Sequence, residues 1–419
     1  MQRCVFHLGL VSRGVVRSRP YPFLLLPLQP PAPVRESAWI TQAWNSRWFA
    51  RLLVAILLLS VAGYFHHSYR NKSGELNISC FVFRDINRDG VYDLGDRPYA
   101  GLPVTLTRAN GSHVEARSNL AGFTNFKMSA TRRPADIRAE GTYTIEASQP
   151  EGWVITSGNE TQQTRFRALP GSPAGLVAEA TIQPVGLAPK LVVKGVAPHG
   201  ASLSAENPQG VRQSVALDAD GAFEITAARG KWKLTIVDGN GAKYVRDVEV
   251  KEYAVVVSLS GLGERSDARK PVERTVDFDA LTTSDTLIEV PSGYGGFRWT
   301  NWIATHQKLY EGEGFINATV SGEFAAYNSS GHPAFIEHST GFDVTSMFMG
   351  VAWPQAEKHD VVIRAWRGPV LVHEDRLRAS TWGPVAFDAD YRNVTRVEVS
   401  SAAYWQVLID DFSYRLDSL

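Results

Sequence analysis

The chain has 419 residues, with 43 basic and 43 acidic side chains, so its formal net charge is zero. This balance gives no electrostatic case for binding nucleic acid. The length predicts two to four domains. The two cysteines, Cys4 and Cys80, lie on opposite sides of an apolar segment. They cannot pair within one chain if that segment spans a membrane, so packed cores rather than disulfides must stabilise the protein.

Residues 1–47 are basic and rich in proline, and we predict that they are disordered. Residues 52–65 contain no charge, and residues 48–50 extend the apolar run to about the 17 residues needed to cross a bilayer. Seven arginines precede Leu52, against the single acid Glu36, which favours an N-terminus in the cytoplasm. We therefore predict one transmembrane helix over residues 48–66. A cleaved signal segment, ending near Ser60-Val61-Ala62, and a buried soluble helix are the alternatives.

Beyond the apolar segment, short alternating runs separated by Gly, Asn, Asp and Pro predict an all-β chain. Residues 85–96 read D-I-N-R-D-G-V-Y-D-L-G-D, which is the spacing of a calcium loop with its glycine at position six. Strand patterns on both sides exclude an EF-hand, and the aspartate at position twelve predicts modest affinity. A solvated acidic turn without metal is the alternative. The predicted calcium donors are Asp85, Asn87, Asp89, the Val91 carbonyl, Asp93 and Asp96.

Residues 82–106 resemble the B-type repeats of serine–aspartate-repeat surface adhesins, and the resemblance extends more weakly over residues 76–188. It implies an Ig-like β-sandwich in which calcium at this loop makes the domain rigid.

Residues 189–260 contain six or seven short strands, with hairpin signals at Asp218-Ala219-Asp220-Gly221 and Asp238-Gly239-Asn240-Gly241. This stretch resembles a carboxypeptidase-regulatory-like (transthyretin-like) sandwich, which implies a structural spacer. The polar, Gly- and Pro-containing residues 261–274 are the predicted linker.

Residues 275–416 are rich in aromatics and predict a larger, jelly-roll-like sandwich. They resemble jelly-roll carbohydrate-binding modules, which implies a glycan ligand. Residues 291–302 concentrate aromatics and glycines, and aromatic faces stack on sugars. The alternative role for these rings is a core. The candidate ligand-binding residues are Tyr294, Trp299, Trp302 and Trp382. If the first and last strands pair, Asp279, Asp410 and Asp411 form a candidate second metal site, with a solvated acidic turn as the alternative.

No H-E-x-x-H or G-x-S-x-G motif occurs, so we expect no enzyme. The sequence predicts tandem β-sandwiches, two small and one large, after a single membrane helix. The function we expect is adhesion or binding outside the cytoplasm, at a cell surface or in a periplasm, with a calcium-stiffened stalk presenting a distal module to a glycan. Cleavage of the apolar segment would make the protein secreted. A structural scaffold contacting a cell-envelope protein is the alternative, and a distal glycan hydrolase is less favoured.

Overall fold

The computed structural model of the chain describes residues 51, 54–61, 76–128, 135–168, 176–263, 272–310 and 313–416. The chain divides into two compact units, residues 1–70 and residues 71–419. Residues 54–61 of the first unit are helical. Within the described part of the chain, no helix has both the length and the apolar character required to span a membrane. The predicted disordered segment 1–47 and part of the predicted membrane segment 48–66 lie outside the described residues.

The second unit is built almost entirely of β-strands. Its first ten strands form the first module (residues 76–188), a sandwich with one five-stranded sheet of order β4-β3-β6-β8-β9. The other sheet has the order β2-β1-β10-β7, with β5 also paired to β1. These strands are β1 (Leu76–Arg84), β2 (Arg97–Pro98), β3 (Pro103–Thr107), β4 (His113–Arg117), β5 (Phe123–Met128), β6 (Gly141–Ala147), β7 (Trp153–Ile155), β8 (Thr161–Ala168), β9 (Leu176–Ala178) and β10 (Val185–Pro189).

Alternation of apolar and polar residues explains these strands. In β3, Val104 and Leu106 are buried, while the residues between them are only partly covered. In β5, Thr124, Phe126 and Met128 point inward and the intervening residues face solvent. A period of two places one face of each strand against the opposite sheet, and the core of the module forms between the two sheets.

The second module (residues 189–260) packs the sheet β13-β12-β15-β16 against β14-β11-β17. Its strands are β11 (Val192–Val196), β12 (Ser202–Glu206), β13 (Arg212–Val215), β14 (Ala222–Thr226), β15 (Gly230–Val237), β16 (Lys243–Val250) and β17 (Val255–Val257). Asp218 and Asp238 each accept two backbone N–H groups within the turns that they begin, at 2.8–3.0 Å. Both predicted turns are therefore present, but only the turn at 238–241 closes a hairpin, between β15 and β16. The turn at 218–221 leads from β13 to β14, which belong to opposite sheets, so the hairpin predicted there is wrong.

The third module (residues 275–416) is held together by two long strands that pair with partners along their whole length. Its elements are β18 (Glu273–Val276), β19 (Leu287–Glu289), β20 (Arg298–Thr300), β21 (Trp302–His306), α1 (Glu313–Asn317), β22 (Phe324–Asn328), β23 (Ala334–Val351), β24 (Asp360–Arg367), β25 (Val370–Arg378), β26 (Val385–Ser401) and β27 (Val407–Arg415). The start of β23 pairs with β20 and the end of β26, whereas its second half pairs with β27 and the start of β26. The register shifts between these halves let both strands bend around one core.

The second and third modules are joined through one sheet. Strand β17 lies between β11 and β26 and pairs with both in parallel, with Val255 opposite Ala386 on the β26 side. The sequence predicted separate sandwiches in tandem, whereas the second and third modules share a sheet. Glu273 and Arg274, assigned to the linker from sequence, belong to β18, which pairs with β27. Residues 264–271 of that linker lie outside the described residues.

All three modules meet at Arg84, the last residue of β1. Its guanidinium is buried and donates to the Tyr253 hydroxyl of the second module at 2.9 Å. It also donates to the Asn317 carbonyl of the third module at 3.1 Å. The Asn317 amide donates in turn to the Ala100 and Thr381 carbonyls, each at 3.2 Å. The third module therefore packs against the first module instead of standing at the far end of a stalk.

Candidate functional site

A concave surface with charged side chains lies on the third module. This sheet-face groove has a volume of about 670 Å³. Arg298, Glu337 and Arg396 line it, and the strand register places them side by side. Trp366 of β24 lies opposite Arg396, next to the lining residues. Gly293 and Gly296 line one wall, and His338 lies in the floor beside Glu337.

An arginine stacked between aromatic rings lies in the groove. The Arg396 guanidinium lies over the Trp366 ring, 4.1 Å from its centroid, and 5.7 Å from the centroid of Phe335. All three side chains are half-buried on the outward face of the sheet. Cation–π contact fixes the plane of the guanidinium against the indole. The result is an outward-facing cluster that combines two aromatic rings with a positive charge.

Neighbouring charges on the same face are paired. Arg298 bonds Glu337 at 2.6 Å, and Arg364 bonds both Glu374 at 2.8 Å and Glu398 at 3.1 Å. The pKa of the Glu374 carboxyl is lowered by its hydrogen bond to Arg364. These pairs satisfy the charges around the groove and leave Arg396 as the cation that the groove presents.

No sequence motif marks Trp366, Arg396, Phe335 or Glu337 as functional residues. Their signal is alternation: Phe335 and Glu337 flank the buried Ile336 in β23, and Trp366 follows the buried Ala365 in β24. A tryptophan and a phenylalanine at outward positions of polar strand faces are the pattern that would have pointed to this surface.

Two of the four predicted ligand-binding aromatics are core residues, which corrects that prediction. Trp302 is fully buried and donates through its indole N–H to the Phe335 carbonyl at 3.2 Å. Trp299 is 6% exposed and donates to the Tyr294 carbonyl at 2.8 Å. Trp299 is the buried residue between two exposed ones in β20, and Trp302 begins β21, of which four of the five residues are buried. Neither ring has a face free for a sugar.

The other two predicted aromatics are half-buried. Trp382 packs against the core of the first module, and its carbonyl accepts the Tyr99 hydroxyl at 2.6 Å. It therefore lies at the contact between modules. Tyr294 packs against the third core, and burial raises the pKa of its hydroxyl to about 12. Its neighbours Gly293 and Gly296 line the groove, so this glycine-rich segment does border the candidate site.

In the predicted calcium loop, carboxylate side chains accept hydrogen bonds from backbone N–H groups of the same loop. Asp85, 1% exposed, accepts the Arg88 and Gly90 N–H groups at 2.6 and 2.8 Å. Asp96 accepts the Ile86 N–H at 2.8 Å and the Asp93 N–H at 3.2 Å. Gly90 has a φ of 80°. These bonds give the acidic side chains fixed positions around one turn.

Two of the loop carboxylates converge on one amide. The Asn87 side-chain nitrogen donates to Asp89 Oδ2 at 2.9 Å and to Asp93 Oδ2 at 3.2 Å. Across the residues that the structure describes, no three or more His, Cys, Asp or Glu side chains are arranged to hold a metal ion. The loop thus brings two carboxylates to a common point, while Asp85 and Asp96 hold backbone N–H groups. Calcium binding here stays a prediction.

The candidate second metal residues come together because β18 pairs with β27, as the sequence predicted. Asp410 is buried and accepts the Val320 and Ser321 N–H groups at 2.6 and 3.1 Å. Asp411 accepts the Ser321 hydroxyl at 2.6 Å, and Asp279 accepts the Glu323 N–H at 2.7 Å.

Burial is the main cause that raises the pKa of each of these three carboxyls. The negative charge of Asp411 also raises the pKa of Asp410 and of Asp279. A shared cation would relieve this repulsion, and its presence stays a prediction.

A serine, a histidine and an aspartate meet where the second module joins the third. Ser260 Oγ lies 3.1 Å from His373 Nδ1 and donates to Asp375 Oδ2 at 2.9 Å. Ser258 and Tyr391 donate to the same carboxylate oxygen, each at 2.7 Å. In a hydrolytic triad the acid orients the imidazole, whereas this carboxylate bonds the hydroxyls themselves. The cluster therefore ties the end of β17 to β25 and β26.

The groove offers no carboxyl pair of the kind that glycoside hydrolysis needs. Among the described residues that line it, Glu337 is the only carboxylate, and Arg298 neutralises it. That the chain is not an enzyme stays a prediction.

No protein-family model matches the sequence, and sequence comparison found no similar characterised protein. Among solved structures, the chain is similar to the minor pilin GBS52 of Streptococcus agalactiae, with 10% identity over 47% of this chain and 99% of the pilin, and a TM-score of 0.19. It is also similar to the shaft pilin SpaA of Lactobacillus rhamnosus GG, in a double mutant form, with 13% identity, coverage of 43% and 96%, and a TM-score of 0.20. The CBM51-2 and INT domains of Clostridium perfringens ZmpB give 14% identity, coverage of 48% and 43%, and a TM-score of 0.22. These TM-scores are too low for the similarities to support an inference about this chain.

Proposed function

We propose that this chain is a binding protein of the extracytoplasmic space, held at a membrane by residues 48–66, and that the sheet-face groove binds a saccharide. The observation that carries the proposal is the stack of Trp366, Arg396 and Phe335 on the outward face of the sheet, in which Arg396 also lines the groove. Aromatic faces pack on the apolar faces of sugar rings, while nearby polar groups bond hydroxyls. The glycines Gly293 and Gly296 let a ligand approach the backbone closely.

We further propose that residues 85–96 bind calcium and fix the junction between modules. The support is the donor spacing together with the convergence of Asp89 and Asp93 on Asn87. A bound cation would supply positive charge to a loop with four carboxylates. Arg84 and Arg97 flank the loop and both donate to carbonyls of the third module, at 3.1 and 2.8 Å. The residues that would hold the ion are Asp85, Asn87, Asp89, Val91 through its carbonyl, Asp93 and Asp96.

Binding of the full chain to immobilised polysaccharides tests the groove. The chain should be kept in a detergent without a sugar head group, so that the detergent does not compete. Trp366→Ala should lower affinity about two- to twelvefold, since stacking on an aromatic ring contributes about 0.5–1.5 kcal/mol. Tyr404→Ala is the matched control, because Tyr404 is a 62% exposed aromatic of the same module outside the groove. An equal loss of saccharide affinity in Trp366→Ala and Tyr404→Ala would refute a specific binding site at the groove.

Calorimetric titration of calcium into the calcium-free full chain tests the loop. We expect a dissociation constant of about 10⁻⁴–10⁻³ M and a higher melting temperature with calcium. Asp89→Asn should weaken both effects, whereas Asp220→Asn, in an exposed acidic turn of the second module, should not. Proteolysis after chelation should cut residues 80–100 first. If the titration gave no heat and calcium did not change the melting temperature, calcium binding by this loop would be contradicted.

A structural scaffold is the second candidate. The burial of Trp299 and Trp302 and the location of Trp382 between modules favour it, since these aromatics serve packing. If no saccharide binds while the chain remains folded and stable, the scaffold is the better description and a cell-envelope protein becomes the expected partner.

A further inference from the structure

Arg396 differs from the neighbouring arginines in the groups that it contacts. Arg298, Arg364, Arg376 and Arg378 each lie within 3.5 Å of a carboxylate oxygen. Among the described residues, the Arg396 guanidinium has no carboxylate partner and lies over two aromatic rings, and its Nε is buried without a hydrogen-bond partner. A guanidinium has five N–H donors in a rigid fork, and a buried Nε–H without an acceptor costs stability. The two terminal nitrogens carry the other four N–H groups and are the ones that a ligand would reach.

The stacking contact makes this arginine a prepared site for an anion. The Trp366 ring fixes the plane of the guanidinium, so little side-chain freedom is lost when its donors bind a ligand. A planar fork matches a carboxylate, which it binds through two parallel hydrogen bonds. A sulfate group presents the same pair of oxygens.

Other groups in the groove agree with an anionic ligand. The charge of Glu337 is offset by Arg298 at 2.6 Å, so the groove keeps one net positive charge from Arg396. His338 Nδ1 accepts the Thr340 N–H at 3.3 Å, which leaves its other ring nitrogen as a donor. This donor belongs to a residue that lines the same groove.

We propose that the saccharide bound in the sheet-face groove is acidic, and that Arg396 binds its oxyanion while Trp366 and Phe335 contact its ring. This inference rests on the proposed saccharide-binding function and narrows its ligand to sugars with a carboxylate or a sulfate ester. Arg396 is then the residue that determines specificity for charge, and the aromatic rings contribute affinity for any sugar.

Three trisaccharides separate the outcomes when titrated into the full chain: a galacturonic acid trimer, its methyl ester and a sulfated galactose trimer. The acid and its ester have the same ring and differ in charge. We expect the acid to bind at least tenfold more tightly than the ester, with an affinity that falls as salt is added. A preference for the sulfated trimer would identify sulfate as the oxyanion and would also support the inference.

Variants assign the preference to one residue. Arg396→Gln should lower affinity for the acid at least tenfold and leave affinity for the ester nearly unchanged, and Arg396→Lys should keep part of the preference. Arg378→Gln, an exposed arginine outside the groove, is the control. If Arg396→Gln fails to fold, the salt dependence of the unmodified chain still decides the question.

Equal binding of acid and ester to the unmodified chain would overturn this inference while leaving saccharide binding intact. Absence of binding by all three trimers and by the immobilised polysaccharides would overturn both.

Discussion

Replacement of Asn317 by alanine tests the junction on which the arrangement of the modules depends. Asn317 is 3% exposed, and its amide donates to Ala100 of the first module and to Thr381 of the third, each at 3.2 Å. The backbone carbonyl that accepts Arg84 is kept in the variant. The substitution therefore removes two hydrogen bonds and leaves two carbonyl oxygens without that donor.

The magnitude follows from these contacts. Each hydrogen bond contributes about 1 kcal/mol net, and each carbonyl left unsatisfied in a buried place costs up to about 2 kcal/mol. We expect Asn317→Ala to lower the free energy of unfolding by about 2–4 kcal/mol. Urea denaturation of the full chain, followed by tryptophan fluorescence and by circular dichroism, measures this change. Asn240→Ala, in an exposed turn, is the matched control and should change stability by less than about 0.5 kcal/mol.

The isosteric variant Asn317→Asp separates hydrogen bonding from packing. It keeps the shape but places a carboxylate against two carbonyl oxygens, so it should destabilise more than alanine at pH 7. Burial would raise the pKa of the introduced carboxyl, and protonation would restore a donor and reduce the loss at about pH 4. If both variants behaved like Asn240→Ala, the proposed tie between the first and third modules would be refuted.

Two further predictions concern charge and packing. Asp279→Asn should raise the melting temperature at pH 7 and have little effect near pH 3: burial and the charges of neighbouring aspartates raise the pKa of Asp279, so its ionisation costs the folded state stability as pH rises. Equal melting temperatures of Asp279→Asn and the unmodified chain at pH 7 would contradict this. If calcium raised the melting temperature of the unmodified chain more than that of the variant, the second metal site would be supported. Gly383→Ala should cost about 1–3 kcal/mol, because a Cβ there would lie 2.4 Å from Trp153 Cζ2, whereas at Gly239 the nearest atom would be 3.8 Å away. Equal unfolding free energies for Gly383→Ala and Gly239→Ala would show that the first and third modules do not pack closely at Trp153.

Local patterns in the sequence were sufficient to predict the strands of the small modules. Alternation over residues 102–108 and 142–147 corresponds to β3 (Pro103–Thr107) and β6 (Gly141–Ala147). Such strands have one face in a core and one in solvent, and a period of two reports this directly. The two turns were equally predictable, because Asp and Gly supply the local hydrogen bonds and the positive φ that the turns require. Turn chemistry did not show that the first of them joins strands of opposite sheets.

The shared sheet was not predictable from the same information. Strand β17 has three residues, all valine, and nothing in them specifies that β26, about 130 positions later, is a partner. Pairing between distant strands depends on the shape of the assembled layers. The long bent strands β23 and β26 present the same difficulty, since their register shifts have no local signature.

Aromatic content located the third module but not the site. Trp299 lies between exposed residues in β20, and alternation alone does not say which set faces inward. The same ambiguity hid Trp366, whose outward position becomes evident only when Arg396 of the neighbouring strand is seen stacked upon it. A binding surface on a sheet is built from several strands, so its residues are adjacent only after the register is known.

The location of the acidic loop changes what a calcium ion would stabilise. Arg84 ends β1 immediately before the loop, Arg97 begins β2 immediately after it, and both donate to backbone carbonyls of the third module. Arg229 of the second module donates to the Ile86 carbonyl within the loop. The loop is thus in contact with all three modules, so an ion that orders it would act on their relative positions as well as on the first sandwich. A bound calcium ion would therefore stabilise the same junction as the Asn317 hydrogen bonds, and the effects of calcium and of Asn317→Ala on the free energy of unfolding should be non-additive.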